Sequence, residues 1–364
     1  MAALIKDQTA KAGIVKEYFG EADNQAVYLF TLRNNRGAEV RITNYGGIVT
    51  SWIDADRKGD RSSIVLGFDN LPKYLAGHPF FGALAGRYAN RIAHGKFTLD
   101  GVQYTLAANK GGNHLHGGNK GFDKVVWEAA IIEGAVQTAT EGTVPELSLT
   151  YRSADGEEGY PGNLQVNVRY RFTDDNELEI RYEATTDKPT PINLTNHSYF
   201  NLTGDAANDI FDHSIFIDAD HYTPIDEHTI PTGEIRSVKG SPFDFTTPAR
   251  IGDQISQTAF GYDHNYVLNH PESGLRRVAV LSEGASGRKL EVFTDQPGMQ
   301  FYSGNNLDGV FTTPAGKPIG RQSAVCLETQ HFPNSPNEPG FPSTILRPGQ
   351  TYRTQTNYRL STGA

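Results

Sequence analysis

Short segments in which apolar and polar residues alternate recur through most of the chain. The clearest examples lie in the middle, where alternating apolar residues occupy 147–151, 164–172 and 178–182. A period of two places successive side chains on opposite faces of a strand, so these segments predict strands with one buried face. Between the last two segments, residues 173–177 read TDDNE. Such turn-forming residues predict that the two flanking strands pair as antiparallel neighbours.

The same pattern continues on both sides of this region. Strands are predicted over 27–42, 45–53, 278–293 and 352–360, and a hairpin is predicted through Asp100 and Gly101. A helical turn is predicted only around 70–76, which reads NLPKYLA. The 38 glycines and 19 prolines are typical of many turns between short strands. The sequence therefore predicts an all-β protein.

Residues 190–204 read TPINLTNHSYFNLTG and are unusual because both predicted faces carry hydrogen-bonding side chains. Alternation would place one set of residues on the first face: Asn193, Thr195, His197, Tyr199 and Asn201. It would place Ile192, Leu194, Asn196, Ser198 and Phe200 on the second. Polar groups beside an aromatic ring suit the binding of a polyol, and His197 can exchange a proton near neutral pH. A half-exposed strand with a hydrogen-bonded histidine remains the alternative.

Two further segments carry candidate ligand contacts. Residues 80–92 read FFGALAGRYANRI, in which small residues stand beside Arg87, Asn90 and Arg91. Small residues let a ligand oxygen approach the backbone and a guanidinium closely, although a surface salt bridge is the commoner role of such arginines. In the second segment, GGNHLHGG, His114 and His116 are expected to point the same way if the backbone is extended. That geometry also suits a metal, but no third ligand has convincing spacing.

Glu328 immediately follows the apolar residues Val325, Cys326 and Leu327. We therefore expect Glu328 at the end of a buried strand, where partial loss of solvent raises the pKa of a carboxyl group. A raised pKa brings a general base closer to neutral working pH. A solvated carboxylate at a strand end is the alternative.

The overall composition excludes several classes of protein. The 364 residues carry a net charge of −9 without a basic block, which argues against a nucleic-acid binder. Cys326 is the only cysteine, which excludes an intrachain disulfide and a cysteine-rich zinc site. The N-terminus lacks the apolar core of a signal peptide, and no stretch is apolar enough to span a membrane. These features predict a cytoplasmic protein that binds neither nucleic acid nor membrane.

Several segments together resemble the aldose 1-epimerase (galactose mutarotase) family. They occur in the family's order from Gly86 to Asn337 and read GRYANRIAHGKF, NHLHGG, TNHSYFNLTG, PTGEI with SPFDF, GYDHNYVL, QPGMQFYSGN and CLETQHFPNSPN. The resemblance implies a galactose-mutarotase-like fold, which is an antiparallel β-sandwich (supersandwich) with a concave sugar-binding face. It implies one domain over residues 1–364, with residues 1–20 as a candidate extension. It implies no metal or other cofactor.

The resemblance also implies roles for individual residues. Glu328 would be the general base, His197 the general acid and His116 a third catalytic residue. The sugar would be held by Asn90, Arg91, Asp263 and Gln300, whereas His114 would have a supporting role and Arg87 none. The expected activity is interconversion of the α and β anomers of a free aldose such as D-galactose or D-glucose, by a monomer or homodimer. We expect a useful fraction of His197 to be protonated at pH 7, and a nearby carboxylate to increase that fraction.

Three other functions remain open at this point. A hexose-6-phosphate 1-epimerase of the same fold would need clustered basic residues for the phosphate, and the site motifs contain chiefly Arg91. A non-catalytic sugar-binding protein of the same fold would not need both Glu328 and His197. A glycosidase would use two carboxylates, for which Asp263 and Glu328 are available.

Overall fold

The computed structural model describes residues 12–138 and 142–363. These residues form three larger sheets and several two-stranded ribbons, and every pairing between named strands is antiparallel. The expectation of an all-β chain is confirmed. In the described part of the chain, no helix is both long and apolar enough to cross a membrane.

The largest sheet has nine strands in this spatial order: β11 (Glu128–Thr138), β12 (Gly142–Ser153), β13 (Leu164–Phe172), β14 (Glu177–Thr186), β28 (Tyr352–Thr362), β24 (Arg288–Thr294), β23 (Arg276–Glu283), β18 (His213–Ile217) and β21 (Ala249–Arg250). The six-stranded sheet has the order β17 (Tyr199–Phe200), β26 (Val325–Gln330), β25 (Gly298–Tyr302), β22 (Asp263–Val267), β19 (His221–Thr223) and β20 (Arg236–Ser237). A five-stranded meander contains β1 (Gly13–Ala22), β2 (Gln25–Arg33), β3 (Glu39–Thr43), β4 (Ile48–Ala55) and β5 (Arg61–Ser63).

Four ribbons complete the β-structure: β6 (Ala83–Ala85) with β16 (Thr195–His197), β7 (Arg91–Ile92) with β10 (His114–Leu115), β8 (Lys96–Leu99) with β9 (Val102–Thr105), and β15 (Thr190–Pro191) with β27 (Ile345–Leu346). The helices are short: α1 (Leu71–Leu75), α2 (Ile251–Gln254) and single 3₁₀ turns at Ala93–Gly95, Phe122–Lys124, Glu157–Gly159, Ile255–Gln257, Pro271–Ser273 and Ser335–Asn337.

The local predictions agree with these elements. The turn at 173–177 joins β13 to β14, whose register pairs Phe172 with Leu178. The hairpin through Asp100 and Gly101 joins β8 to β9. Helix α1 lies where the helical turn was predicted, and the side chain of Asn70 accepts the N–H of Lys73 at 3.2 Å to cap its first turn.

The six-stranded sheet packs against the nine-stranded sheet through its inner face. The phenol of Tyr358, on β28, donates to the carbonyl of Leu327, on β26, at 2.8 Å. The rings of Phe200 and Tyr358 lie 5.3 Å apart, and Phe301 and Leu327 belong to the same buried cluster. This is a β-sandwich in which Leu327 points into the core. Because strand neighbours point to opposite faces, Glu328 lies on the other side of the sheet.

The polar stretch at 190–204 differs from its prediction. It forms three very short strands, β15, β16 and β17, and every residue from Thr190 to Leu202 is buried. The alternative of a half-exposed strand is therefore wrong. The stretch crosses between sheets, which buries both of its faces.

Candidate functional site

The register of the six-stranded sheet sets two predicted residues side by side. Gln300 on β25 pairs directly with Glu328 on β26, so their side chains project from the same outer face. Glu328 is expected from the sequence at the end of a strand. It lies instead inside β26, and only 2% of it is exposed. Glu328 Oε2 and Gln300 Oε1 have no hydrogen-bond partner among the described residues. Such buried, unpaired oxygens are available to a ligand.

Asp263 and Arg91 continue this polar surface. Asp263 begins β22, and its Oδ1 accepts the Nε2–H of Gln300 at 2.7 Å. A terminal nitrogen of Arg91 lies 3.6 Å from Asp263 Oδ2. Arg91 is part of this ion pair inside the site, so it is not a surface salt bridge.

The ribbon of β6 and β16 brings His197 to the same place. Thr195 Oγ1 donates to the carbonyl of Thr329 at 2.8 Å and fixes β16 against β26. His197 Nε2 then lies 3.6 Å from Glu328 Oε1. The two residues expected to exchange protons are neighbours, although they are far apart in the sequence.

The other polar residues of the 190–204 stretch do not contribute a polyol-binding surface. The amide nitrogen of Asn193 donates to the carbonyls of Ala89 and His331, and that of Asn201 donates to those of Asn208 and Ser323. Thr195 is likewise bonded to backbone. The interpretation of the whole first face as a site is therefore wrong, because these side chains satisfy buried backbone groups. Of that set, His197 carries the candidate chemistry.

His116 reaches the site through an unusual backbone conformation. Its φ of 48° turns the chain at the end of β10, so that His116 and His114 diverge. His114 Nδ1 donates to the carbonyl of Ala107 at 2.8 Å, and His114 Nε2 accepts from the phenol of Tyr160. The expectation that both histidines point the same way is wrong, since it assumed an extended strand. The supporting position expected for His114 agrees with these contacts.

The environment of His116 fixes its tautomer. The ring Nδ1 of His116 accepts the backbone N–H of Asn90 at 3.1 Å. The backbone N–H of His116 in turn donates to the carbonyl of Asn90 at 3.0 Å. Because Nδ1 is an acceptor, the proton of the neutral ring lies on Nε2, which is then a donor. Asn90 therefore orients His116, while the side chain of Asn90 accepts a bond from Arg91.

Three ligand atoms lie close enough together to raise the question of a metal. The ring nitrogens of His116 and His197 and a carboxylate oxygen of Glu328 all lie within 4.8 Å of one another. The sequence had not supplied this third ligand. However, a histidine binds a metal through an unprotonated nitrogen, and the bond from Asn90 leaves His116 Nε2 protonated. The tautomer inferred from this hydrogen bond does not fit a metal at this place.

Arg87 has a structural role. It is 2% exposed, and its guanidinium donates to the carbonyls of Ser153, Ala154, Pro161 and Gly162 and to the hydroxyls of Ser153 and Thr190. It therefore anchors loops behind the site and is neither a ligand contact nor a surface salt bridge.

Burial dominates the protonation of the central pair. It lowers the pKa of His197 to about 4, although the negative charge of Asp263 opposes this shift. Burial also raises the pKa of Glu328 well above its ordinary value, and Asp263 adds to that rise. The raised pKa of Glu328 was predicted. The expectation that His197 is substantially protonated at pH 7 is wrong for the site in this structure, because loss of solvent outweighs the nearby carboxylate.

Aromatic rings surround His197, and two of them were not predicted to belong to the site. The ring of Tyr199 stacks on His197 at 5.0 Å, and the ring of Tyr302 lies 6.4 Å away, edge to face. The ring of Phe80 lies 5.8 Å from His197 and 4.5 Å from the ring of His116. Tyr199 was placed beside His197 by the alternation of the stretch. Phe80 and Tyr302 carry no comparable sequence signal.

The fold and the site together define a β-sandwich protein with a buried histidine–carboxylate pair on the outer face of a sheet. Comparison with known proteins narrows this class. The family model described as aldose 1-epimerase matches residues 28–359. Over 351 residues the chain is 43% identical to galactose mutarotase from Sus scrofa, covering 96% of this chain and 98% of the relative.

A bacterial relative and a solved structure show similarity to the same family. Aldose 1-epimerase from Escherichia coli is 38% identical over 347 residues, which cover 93% of this chain and 96% of the relative. The crystal structure of galactose 1-epimerase from Lactobacillus acidophilus superposes with a TM-score of 0.83 at 27% identity, covering 97% of this chain and all of that one. The chain belongs to the aldose 1-epimerase family.

Proposed function

We propose that this protein is a carbohydrate isomerase that interconverts the α and β anomers of free aldoses such as D-galactose and D-glucose. The observation that carries the proposal is the 3.6 Å approach of His197 Nε2 to Glu328 Oε1 on a polar sheet face. Membership of the aldose 1-epimerase family and the names of the relatives support it.

Ring opening moves one proton on and one proton off the sugar. The C1 hydroxyl gives its proton to Glu328 while its oxygen becomes the carbonyl oxygen of the aldehyde. The bond between C1 and the ring oxygen breaks, and His197 gives a proton to that oxygen. After rotation about C1–C2, the same two residues act in reverse and close the ring on the other face. Each positioned acid or base contributes on the order of 10² to 10⁴ in rate.

The pKa shifts of Glu328 and His197 bear on which of the two residues carries the proton before the sugar ring opens. The raised pKa of Glu328 and the lowered pKa of His197 both favour a proton on Glu328 over one on His197. In our proposal that proton moves to His197 when a sugar is bound, since the C1 hydroxyl then donates to the carboxylate and the ring oxygen accepts from the imidazolium. The reactive pair thus carries one proton in total, whichever residue holds it.

The remaining predicted residues are proposed to grip the sugar and leave C1 free to rotate. His116 would donate through its Nε2–H, because Asn90 fixes that tautomer. Gln300 presents a carbonyl oxygen without a partner among the described residues, while its amide nitrogen is bonded to Asp263. Arg91, beside Asp263, would stabilise negative charge that develops on the sugar oxygens.

The chemistry is proposed to be independent of metal ions, in keeping with the protonated Nε2 of His116. We expect a chelator to leave activity unchanged. We further propose that the chain acts as one cytoplasmic domain. One buried cluster that extends along the chain from Phe30 to Leu360 supports the single domain, and the buried free thiol of Cys326 is consistent with a reducing compartment.

The contacts of the site's charged residues argue against each of the three other functions. A phosphate-sugar epimerase needs free cations, but Arg91 is paired with Asp263 at 3.6 Å and Lys124 with Asp123 at 3.2 Å. A glycosidase needs two carboxylates free to act across a bond, whereas Asp263 accepts a hydrogen bond from Gln300 and is ion-paired with Arg91. A silent sugar-binding protein has no need for the approach of His197 to Glu328.

The deciding experiment is the polarimetric relaxation of freshly dissolved α-D-glucose and α-D-galactose, with and without the protein, in a weakly catalytic buffer near pH 7. We expect acceleration that Glu328→Gln abolishes. Acceleration with glucose 6-phosphate alone would support the phosphate-sugar epimerase, and release of nitrophenol from a nitrophenyl glycoside would support the glycosidase. Sugar binding by calorimetry without acceleration would support the silent binding protein.

A further inference from the structure

The turn between α1 and β6 holds an aromatic residue in a strained conformation. Residues 77–82 read GHPFFG, and Phe80 has a φ of 61°. A bulky residue at positive φ is an outlier that persists only where its surroundings hold it. Strain of this kind concentrates at ligand-binding sites, so the placement of the Phe80 ring calls for a functional explanation.

Hydrogen bonds fix this turn from several directions. His78 Nδ1 accepts the N–H of Phe81 at 2.9 Å, and the carbonyl of Phe80 accepts the N–H of Ala83 at 3.0 Å. The carbonyl of Gly82 accepts the N–H of Val49 at 2.9 Å. A Cβ at Gly82 would lie 2.0 Å from the carbonyl oxygen of Val49, so no larger residue fits there without movement. The conformation of Phe80 is therefore set by the fold.

The two adjacent phenylalanines of the turn have different surroundings. Phe81 is fully buried in a hydrophobic cluster. Phe80 is only half-buried, and its ring contacts His116 and stacks on His197 with an interplanar angle of 19°. Lys124 Nζ lies 5.6 Å from the centre of the same ring, a cation–π distance that steadies it. Phe80 is thus an apolar wall beside the two histidines and retains exposed surface.

A pyranose presents both polar edges and apolar C–H faces. Glu328, Gln300, Asp263 and Arg91 supply the polar groups of the site, but none of them offers an apolar surface. An aromatic ring is the usual partner for such C–H surface, since it combines a large apolar area with few rotatable bonds. Phe80 has this character and lies next to the residues proposed to transfer protons.

We propose that Phe80 contacts the C–H face of the bound pyranose and sets its distance from His116 and His197. This inference rests on the proposed function and adds to its polar groups an aromatic contact for the apolar face of the sugar. Phe80 acts through binding and takes no part in proton transfer. Its removal therefore affects KM more than kcat.

The test compares Phe80→Ala, Phe80→Leu and Phe80→Tyr with the wild-type protein, using polarimetry for KM and kcat and calorimetry for the Kd of D-galactose. We expect Phe80→Ala to raise KM and Kd roughly 10-fold with a smaller change in kcat. Phe80→Leu should give an intermediate loss, since it keeps apolar volume without the ring. Phe80→Tyr should stay within about twofold of wild type, because the ring is retained.

Tyr18→Ala is the matched control, since Tyr18 is an aromatic residue that is 64% exposed on β1, where its ring contacts that of Tyr28. It should leave KM and kcat unchanged. Thermal melting checks that the Phe80 variants are folded; if Phe80→Ala is unfolded, Phe80→Leu decides the question. A folded Phe80→Leu or Phe80→Ala with wild-type KM and Kd would overturn the inference.

The outcome for Phe80 can be separated from that of the proposed function. If the wild-type protein binds D-galactose without accelerating anomer exchange, the proposed function fails, and the Kd values still decide the role of Phe80. If the wild type accelerates exchange and the folded variants match it, only the inference on Phe80 fails. A wild-type protein that neither binds nor exchanges aldoses overturns both.

Discussion

The backbone N–H of Asn90 donates to Nδ1 of His116 at 3.1 Å. Both residues have positive φ, 63° for Asn90 and 48° for His116, and each accepts a bond from the backbone of the other. This reciprocal pairing makes His116 a donor toward Glu328 and His197. The role of His116 can therefore be tested with variants that keep either the acceptor at the position of Nδ1 or the donor at the position of Nε2, but not both.

His116→Asn and His116→Gln make that separation. The shorter asparagine can keep an acceptor for the N–H of Asn90 but loses the donor that faces the site. The longer glutamine can keep the donor. We expect His116→Asn to lower kcat/KM about 100-fold and His116→Gln to lose less, as measured by polarimetry. Equal losses in two folded variants would contradict the donor role.

Glu328→Gln and His197→Asn each remove one member of the proposed proton-transferring pair while nearly preserving size. Each variant should lose on the order of 10² to 10⁴ in kcat and remain folded. Because the two residues act as one unit, the double variant should be little worse than either single one. Wild-type turnover by either folded variant would remove that residue from its role.

The pH dependence of kcat/KM reports the ionisation of the free enzyme. If the active pair carries a single proton, activity is lost at low pH only when His197 takes up a second one, with a pKa lowered to about 4. The profile should therefore be flat from pH 7 to pH 5 and fall below that. The rates must be extrapolated to zero buffer, because buffers catalyse mutarotation. An acid limb centred near the ordinary histidine pKa of about 6.5 would contradict this assignment.

Buried and partly buried histidines should make the fold sensitive to mild acid. Burial lowers the pKa of seven of them: His78, His114, His116, His197, His213, His264 and His331. The unfolded chain binds protons at its ordinary histidine pKa, while the folded chain resists protonation until lower pH. Stability is thus complete above about pH 6.5 and falls as the pH decreases toward 4, by at most about 1.4 kcal/mol per pH unit for each histidine.

Urea unfolding at pH 7, 6 and 5 measures this effect. Glu328, Asp123 and Asp295 have raised pKa values and oppose the trend, but they are fewer. His213→Gln should reduce the slope, because it removes one of these histidines and can keep an acceptor for the N–H of Leu202, which His213 Nε2 accepts at 2.9 Å. A free energy of unfolding that is constant from pH 7 to 5 would contradict the prediction.

Arg87 and Arg91 lie four positions apart and should respond oppositely to substitution. Arg87→Met leaves the carbonyls of four residues, three of them buried, without their donor and should lower the free energy of unfolding by at least about 3 kcal/mol. Arg91→Met should lower kcat/KM with little change in Tm, since Arg91 lies at the site beside Asp263. Thermal melting and polarimetry of both variants distinguish a structural residue from a substrate contact.

The strands could be predicted from the sequence because alternation is a local property. The 173–177 turn, the hairpin at Asp100 and the helix after Asn70 each depend on residues close together in the chain. The pKa of Glu328 could also be predicted in direction, since three apolar residues precede it. These successes share one cause, which is that strand period and turn chemistry act over a few residues.

The remaining features depend on contacts between distant segments. Nothing local tells Arg87 from Arg91, or reveals that His116 turns away from His114. The protonation of His197 was misjudged because its burial comes from rings and strands elsewhere in the chain. Phe80 had no signal at all, since its importance lies in a strained turn that only the assembled fold defines.

Glu328 shares its strand with Leu327, whose carbonyl is bonded to the opposite sheet. The backbone beneath the proposed base is therefore part of the core, and its amides should exchange with solvent deuterium only when the whole protein unfolds. Local opening cannot admit a sugar from that side. A sugar is therefore expected to approach from the outer face of the sheet, where Phe80 of the 77–82 turn retains exposed surface, and that turn is where ligand-dependent protection from exchange should be sought.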